Sequence, residues 1–308
     1  MLSDHPPSFR PLSGVHEASG IRQLADGRFI VVEDEPYQPL SLLRLHAGGG
    51  VECTVLQPPA VQTTDDDFWQ LDDLEAITVD QAGYVYALTS HSRNNAGLEK
   101  PAREKLVRFR VEGERVVEPR MVVGLKRALT AAHPLLAAAA DIREVKTRGG
   151  LNIEGLEMRP DQRALLLGFR SPLLDRQAVI ATIDNPDALF EAGAQAQIGA
   201  RLLTLDLGGN GIRGIAHFPA LGGYLVIGGP VAREQTQFGL WFWTGEPGVA
   251  ARRVSVGGLA GFEHAEGISP ALIDGRQRII IVSDDGSRED GRFARFLVLD
   301  PEQLQIAR

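Results

Sequence analysis

The chain has 308 residues, 44% of them hydrophobic and 23% charged, with a formal net charge of −8. This composition sets aside disordered and fibrous classes, and the acidic balance argues against a general affinity for nucleic acid or an anionic membrane, since both require a basic face. The lone cysteine, Cys53, excludes an intrachain disulfide, and no apolar run is long enough to span a bilayer.

The opening stretch MLSDHPPSFRPLSG has no apolar core of a signal peptide, so the expected setting is cytoplasmic. From there one phrase recurs five times. It reads HEASGIRQLADGRFIVVEDE from His16, LEAITVDQAGYVYALTSHSR from Leu74 and IEGLEMRPDQRALLLGFRSP from Ile153. It returns as IRGIAHFPALGGYLVIGGP from Ile212 and AEGISPALIDGRQRIIIVSDDG from Ala265. Each copy is a short strand, a turn rich in Asp, Gly and Pro, and an apolar strand, which is the pattern of a β-hairpin.

Two further strands follow each hairpin. They are SLLRLHA and VECTVLQ, then KLVRFRV and RVVEPRMVVG, then AVIATID and RLLTLDLG, then FGLWFWTG and RRVSVGG. The fifth unit has only RFLVLDPE, and SFRPLSGV near the N-terminus can complete it. Four strands per unit at this spacing predict an all-β, five-bladed β-propeller over residues 1–308, a single domain whose last blade is closed by the N-terminal strand. Six blades are the alternative. The alanine-rich stretch near 125–146, with Pro134 inside it, predicts a helical insertion on one face. It would serve as a packing cap or as a lid over the channel.

Aligned on the phrase, Glu17, Glu75, Glu154, Arg213 and Glu266 take equivalent places, at spacings of 58, 79, 59 and 53 residues. On innermost strands they would converge on the axis. Four carboxylates at one point repel unless something offsets them. One source is Arg213, as an internal counter-ion. The other is a divalent cation held by Glu17, Glu75, Glu154 and Glu266, Ca²⁺ foremost, with Mg²⁺ or Mn²⁺ as alternatives. A third reading has the glutamates capping backbone N–H groups between blades.

The second strands end on one face in a polar rim: Glu33 and Asp34; Ser90, His91 and Arg93; Arg170 and Ser171; Ser283, Asp284 and Asp285. Such a rim suits a small anionic ligand. Arg93 and Arg170 would hold its charge, with Arg213, Ser171 and Asp34 lining the site, and His91, Asp284 or Asp285 would move protons. The G-x-G-x-x-G match GNGIRG opens a strand rather than a helix and is read as a turn. The two tryptophans in LWFWTGEP are read as packing between blades.

The phrases NIEGL…LLLGFRSP, LEAIT…YVYALTSHSR and EGIS…IIIVSDDG resemble a bacterial propeller family known only as a domain of unknown function, over nearly the whole chain. E-G-[IL] followed by a D-x-G turn and SDDG is also similar to the phytase-like esterase propellers. The glutamate ring is similar to that of the calcium-activated nucleotidases, and that similarity implies cation binding at Glu17, Glu75, Glu154 and Glu266. The leading functional expectation is a metal-dependent hydrolase of a phosphorylated or otherwise anionic small molecule, acting at the channel mouth. The alternative is a non-catalytic propeller that binds a protein or small ligand and keeps the ring for structure. A sugar-active enzyme using paired carboxylates is weaker, since aromatics make up only 6% of the chain.

Overall fold

A computed structural model of the chain describes residues 6–46, 49–58, 66–232 and 237–308. After a short strand β1 (Arg10–Pro11), blade one is built from β2 (Ala18–Gln23), β3 (Phe29–Glu33), β4 (Leu40–Leu45) and β5 (Val51–Val55). Blade two holds β6 (Leu74–Val79), β7 (Val85–Thr89), β8 (Leu106–Glu112) and β9 (Arg115–Val122). Three helices follow, α1 (Leu125–Ala132), α2 (Pro134–Ala140) and α3 (Val145–Arg148). Blade three holds β10 (Asn152–Met158), β11 (Leu165–Leu174), β12 (Gln177–Ile183) and β13 (Leu203–Leu205), with α4 (Pro186–Glu191) before its last strand.

Blade four runs β14 (Gly211–Phe218), β15 (Gly223–Gly229), β16 (Gly239–Trp243) and β17 (Arg252–Val256). Blade five has β18 (Ala265–Ile273), β19 (Arg276–Ser283) and β20 (Arg295–Leu299), and the chain continues into β21 (Leu304–Ile306). The architecture is a five-bladed β-propeller of antiparallel sheets. The stretch near 125–146 is helical rather than a sixth blade.

Closure uses both ends of the chain. Strand β1 pairs with β20 and completes blade five, as the sequence predicts. Strand β21 then crosses back and adds a fifth strand to blade four, against β17. That second tie is absent from the sequence reading, because three residues, LQI, give too little alternation to mark a strand.

The core is divided among five apolar clusters, each filling the space between two neighbouring blades. Strand alternation explains the division. Ile30 and Val32 point toward blade two, whereas Val31 between them points toward blade five. Trp241 and Trp243 fill the gap between blades three and four, the packing role expected of them. The helical insertion packs Leu125, Leu129, Leu136 and Ala139 into the cluster between blades two and three, so it acts as a cap there. Pro134 starts α2, where its missing N–H has no helical partner to lose.

Turn chemistry follows the same local rules. Asp274 and Gly275, which join β18 to β19, both have positive φ, as a two-residue hairpin turn requires. Near the axis, glycine is needed for space. A Cβ on Gly214 would sit 2.0 Å from the Glu266 carbonyl oxygen, and one on Gly267 would sit 2.9 Å from the Gly20 Cα. The glycine of the recurring E-G-[IL] phrase lets adjacent inner strands touch. Gly214→Ala should therefore cost about 2–3 kcal/mol in denaturant unfolding; a stability equal to that of the natural chain would contradict this close-packing account.

Candidate functional site

Every innermost strand carries a bulge near its start. The register slips at Ser19, Glu75, Glu154, Arg213 and at Glu266–Gly267. A bulge re-aims a side chain, and here it marks the ring position of each blade. Glu75, Glu154 and Glu266 occupy it as expected, and Ser19 with them lines the axial space. Glu17 does not. The alignment is two residues off in the first blade, because HEASGI offers Glu17 where ASGI supplies the true match to LEAI, IEGL and AEGI.

The axis holds an ion-pair clamp. Arg213 Nη1 lies 3.0 Å from Glu154 Oε2, and its Nη2 is bonded to Glu266 Oε1. Arg170 Nη1 donates to Glu154 Oε1 at 3.1 Å, and Asn152 Nδ2 donates to the same oxygen at 2.8 Å. Burial pulls the Arg213 guanidinium down from its ordinary pKa, and the Glu154 carboxylate opposes that pull. Arg213, one of the two expected counter-charges, stands between these carboxylates. The free axial space is only about 10 Å³, near the size of one water. A cation coordinated by Glu154 and Glu266 together would have to displace this guanidinium. The ring residues do not fit a bound metal, and among the described residues no group of three His, Cys, Asp or Glu side chains is placed to hold one.

Above the ring lies an acidic mouth. Burial first, then the neighbouring Glu17 and Asp284 carboxyls, push the Asp34 carboxyl up to about 10. Burial raises Glu75 well above the carboxylate range, with Glu154, Asp73 and Asp34 adding to it. Asp284 is pushed up to about 6 by burial, against the pull of Arg213. Asp73 is differently placed: Arg103 Nη1 lies 2.9 Å away, and the Ser90 and Ser92 hydroxyls donate to it. Among the described residues, no basic side chain forms an ion pair with Glu17, Asp34, Glu75 or Asp284.

Several expected rim residues face elsewhere. His91 is wholly buried, with Nδ1 2.8 Å from the Thr89 carbonyl, and burial pushes its pKa down to about 4. It is a neutral interior group, out of reach of a substrate. Arg93 is occupied by the insertion: Nε donates to the Ala140 carbonyl at 3.1 Å and Nη2 pairs with Glu99 at 3.1 Å. The Ser171 hydroxyl is buried against the Gly150 carbonyl. Asp285 pairs with Arg295 and accepts from Ser283 at 2.6 Å. Polar residues after a strand can turn inward as readily as outward, and here four of them brace loops. Arg170 and Arg213 are held in the axial clamp by Glu154, and Asp34 and Asp284 lie near each other above it.

A second polar layer lies below the ring and escaped the sequence reading. Arg22 Nη2 donates to Thr78 Oγ1 at 2.9 Å and pairs with Glu157. Thr78 Oγ1 donates to Glu157 at 2.9 Å, and the His217 backbone N–H donates to Glu157 at 3.0 Å. These contacts join blades one to four. The available signal was the third residue after each ring position: Arg22, Thr78, Glu157, Ala216 and Ser269. Between the two layers runs an aliphatic belt of Ile21, Ile77, Leu156, Ile215 and Ile268, all buried.

Two outcomes follow. Arg213→Met leaves the buried Glu266 without a counter-charge and Glu154 with Arg170 alone, and should destabilise the chain by roughly 3–5 kcal/mol, read by denaturant unfolding; a loss under about 1 kcal/mol would mean the clamp is dispensable. Asp34 keeps a proton in the folded chain that the unfolded chain releases near 3.8. Its contribution to stability is full at low pH, declines as pH rises, and is gone above about 10. The thermal midpoint should fall from about pH 7 to about pH 9, and Asp34→Asn should flatten that slope; an unchanged slope in the variant would refute the assignment.

The comparisons with known proteins bear on the family and the fold. No curated protein matches the chain. Among solved structures of similar chain path is a putative oxidoreductase (glucose dehydrogenase) from Thermus thermophilus, at 16% identity and TM-score 0.49, covering 95% of this chain and 100% of that one. Another is described as glucose dehydrogenase, at 14% identity and TM-score 0.45, covering 95% and 99%. A structural genomics protein of unknown function from Bacteroides thetaiotaomicron aligns at 9% identity and TM-score 0.44, covering 97% and 72%. At such values none of them informs activity. The family model described as "Protein of unknown function (DUF3616)" matches residues 142–295, half of the chain, from the end of the helical insertion to the start of β20. The chain therefore belongs to that family of propellers of unknown function.

Proposed function

We propose that the chain is a binding propeller whose acidic mouth takes a small positively charged ligand, while the salt-bridged ring beneath serves structure. The observation that carries this reading is the group Glu17, Asp34, Glu75 and Asp284, gathered at one mouth with no ion-pair partner among the described residues. Glu75 is more than nine-tenths buried and lines the axial space. Its carboxyl has neither hydrogen bond nor ion pair among the described residues. A cation entering from the face of the disc would offset this charge and let the carboxyls ionise. An anion would meet carboxylates first, since Arg170 and Arg213 are already engaged by Glu154 and Glu266.

The metal-dependent hydrolase is the second reading, and the same surplus of carboxyls supports it. A divalent cation at the mouth would supply the missing positive charge, and Arg170 would then be the nearest group to orient an anionic substrate. The clamp on Glu154 and Glu266 removes two of the four glutamates expected as ligands. His91 is unavailable for proton transfer. Both points favour binding without turnover.

Thermal midpoints at about pH 8 distinguish the readings, with putrescine, calcium chloride or sodium chloride of matched ionic strength. Binding of an organic cation predicts a rise with putrescine beyond that with sodium chloride, lost in the Asp34→Asn/Asp284→Asn variant. A rise with calcium alone, with stoichiometric metal in elemental analysis of the purified chain, would replace this reading with the metal-dependent one and justify a phosphoesterase screen. No specific rise with either salt would dismiss the mouth as a cation site.

A further inference from the structure

The opposite face of the disc carries a larger cavity, of about 780 Å³, within the range that holds small molecules. It opens where the innermost strands end. Its walls are apolar, formed by Leu24, Val79, Met158, Phe218, Pro270 and Leu272. Its floor is the lower polar layer. Arg22, Glu157 and His217 all line it. The aliphatic belt and the narrow axis separate it from the acidic mouth, so the two ends of the propeller are independent sites.

Arg22 has capacity left over. Its Nη2 serves Thr78 and Glu157, but Nη1 is buried with no hydrogen-bond partner. The side chain is only 8% exposed. An unpaired guanidinium N–H in such a place costs free energy, and a charged acceptor would recover it. His217 is half-buried beside it, its ring edge-on to Tyr224 at 5.0 Å. No hydrogen bond to the His217 ring is present among the described residues, so a ring N–H is free to donate. Burial and then the nearby Arg22 charge lower the His217 pKa.

Of the other charges of the cavity, Asp80 is hydrogen-bonded and Arg278 is ion-paired, although the buried Arg278 Nε has no partner among the described residues. Asp80 accepts from the Tyr84 N–H at 2.8 Å and the Tyr86 hydroxyl at 3.1 Å, and Arg278 pairs with Asp300. Arg22 and His217 stand together at the foot of the bowl, on the floor formed by the lower polar layer.

We propose that this cavity is a second ligand site, for a small organic anion with an apolar body: its carboxylate, sulfonate or phosphate against Arg22 and His217, its body against the apolar wall. The site needs no contribution from the acidic mouth.

The test uses anilinonaphthalene sulfonate as the probe and phenylnaphthylamine as its uncharged counterpart, read by fluorescence titration of the folded chain. Saturable one-to-one binding of the sulfonate is expected, with the amine weaker by about ten-fold or more. Ala220→Trp, at an exposed position of the rim, should block the bowl and weaken the sulfonate by about ten-fold or more without loss of thermal midpoint. Arg22→Met alone would strand Glu157, so the charge is removed in Arg22→Met/Glu157→Gln, in which the glutamine oxygen still accepts from the His217 N–H. That variant should bind sulfonate and amine alike. Absence of saturable sulfonate binding, unchanged affinity in Ala220→Trp, or a preserved preference for the sulfonate in the double variant would each overturn the proposal. Failure of putrescine at the acidic mouth would leave these readouts unaffected.

Discussion

One guanidinium organises the centre of this molecule. Five inner strands cannot approach the axis with carboxylates on three of them unless positive charge stands between. Arg213 supplies it from within the chain, gripping Glu154 and Glu266 from neighbouring blades. The glycines after the ring positions then let backbones close to contact distance. Charge and space act together, because the clamp is only short enough to bridge blades when no Cβ holds them apart. A buried ion pair of this kind is weak evidence for net stability, but it fixes which strand faces which and so specifies the order of the ring.

The layered axis has a functional corollary. A polar ring, an aliphatic belt and a second polar ring stack along it, and the free space at the upper ring is about that of one water. The propeller is a sealed disc with two dissimilar faces. One gathers carboxyls that have no ion-pair partner among the described residues. The other gathers apolar walls around a buried arginine. Chemistry at one face is insulated from the other by low-polarity packing rather than by distance alone.

The fold was legible because strand alternation, turn residues and apolar runs repeat at blade spacing, and each is a local property. The N-terminal closure was legible by subtraction, from the strand missing in the fifth unit. The site was less so. Two residues could each fill the first ring position of HEASGI, Glu17 by residue type and Ser19 by register, and only the bulge decides between them. His91, Arg93, Ser171 and Asp285 are polar and lie near strand ends, yet His91 turns back to the Thr89 carbonyl two residues before it, and the other three turn to backbone or ion-pair partners at least ten residues away. The lower layer was hidden because Arg22, Thr78 and Glu157 differ in type, and only their mutual bonds across blades reveal a common role.

Strand β21 imposes an order on assembly. Blades one to three are contiguous in the chain and can form as they are synthesised. Blade four can form its first four strands in the same way, but its outer edge stays open until residues 304–306 have been made. Blade five draws on residues 10–11 and 295–299, ends separated by nearly the whole chain. The disc thus locks late, by two pairings, one completing blade five through β1 and the other tying the chain beyond blade five to blade four through β21. Such non-local closure is slow, and until it happens two strand edges are exposed to other chains. Crowded synthesis would be the moment of greatest risk for this protein, and the completed ring the state that ends it.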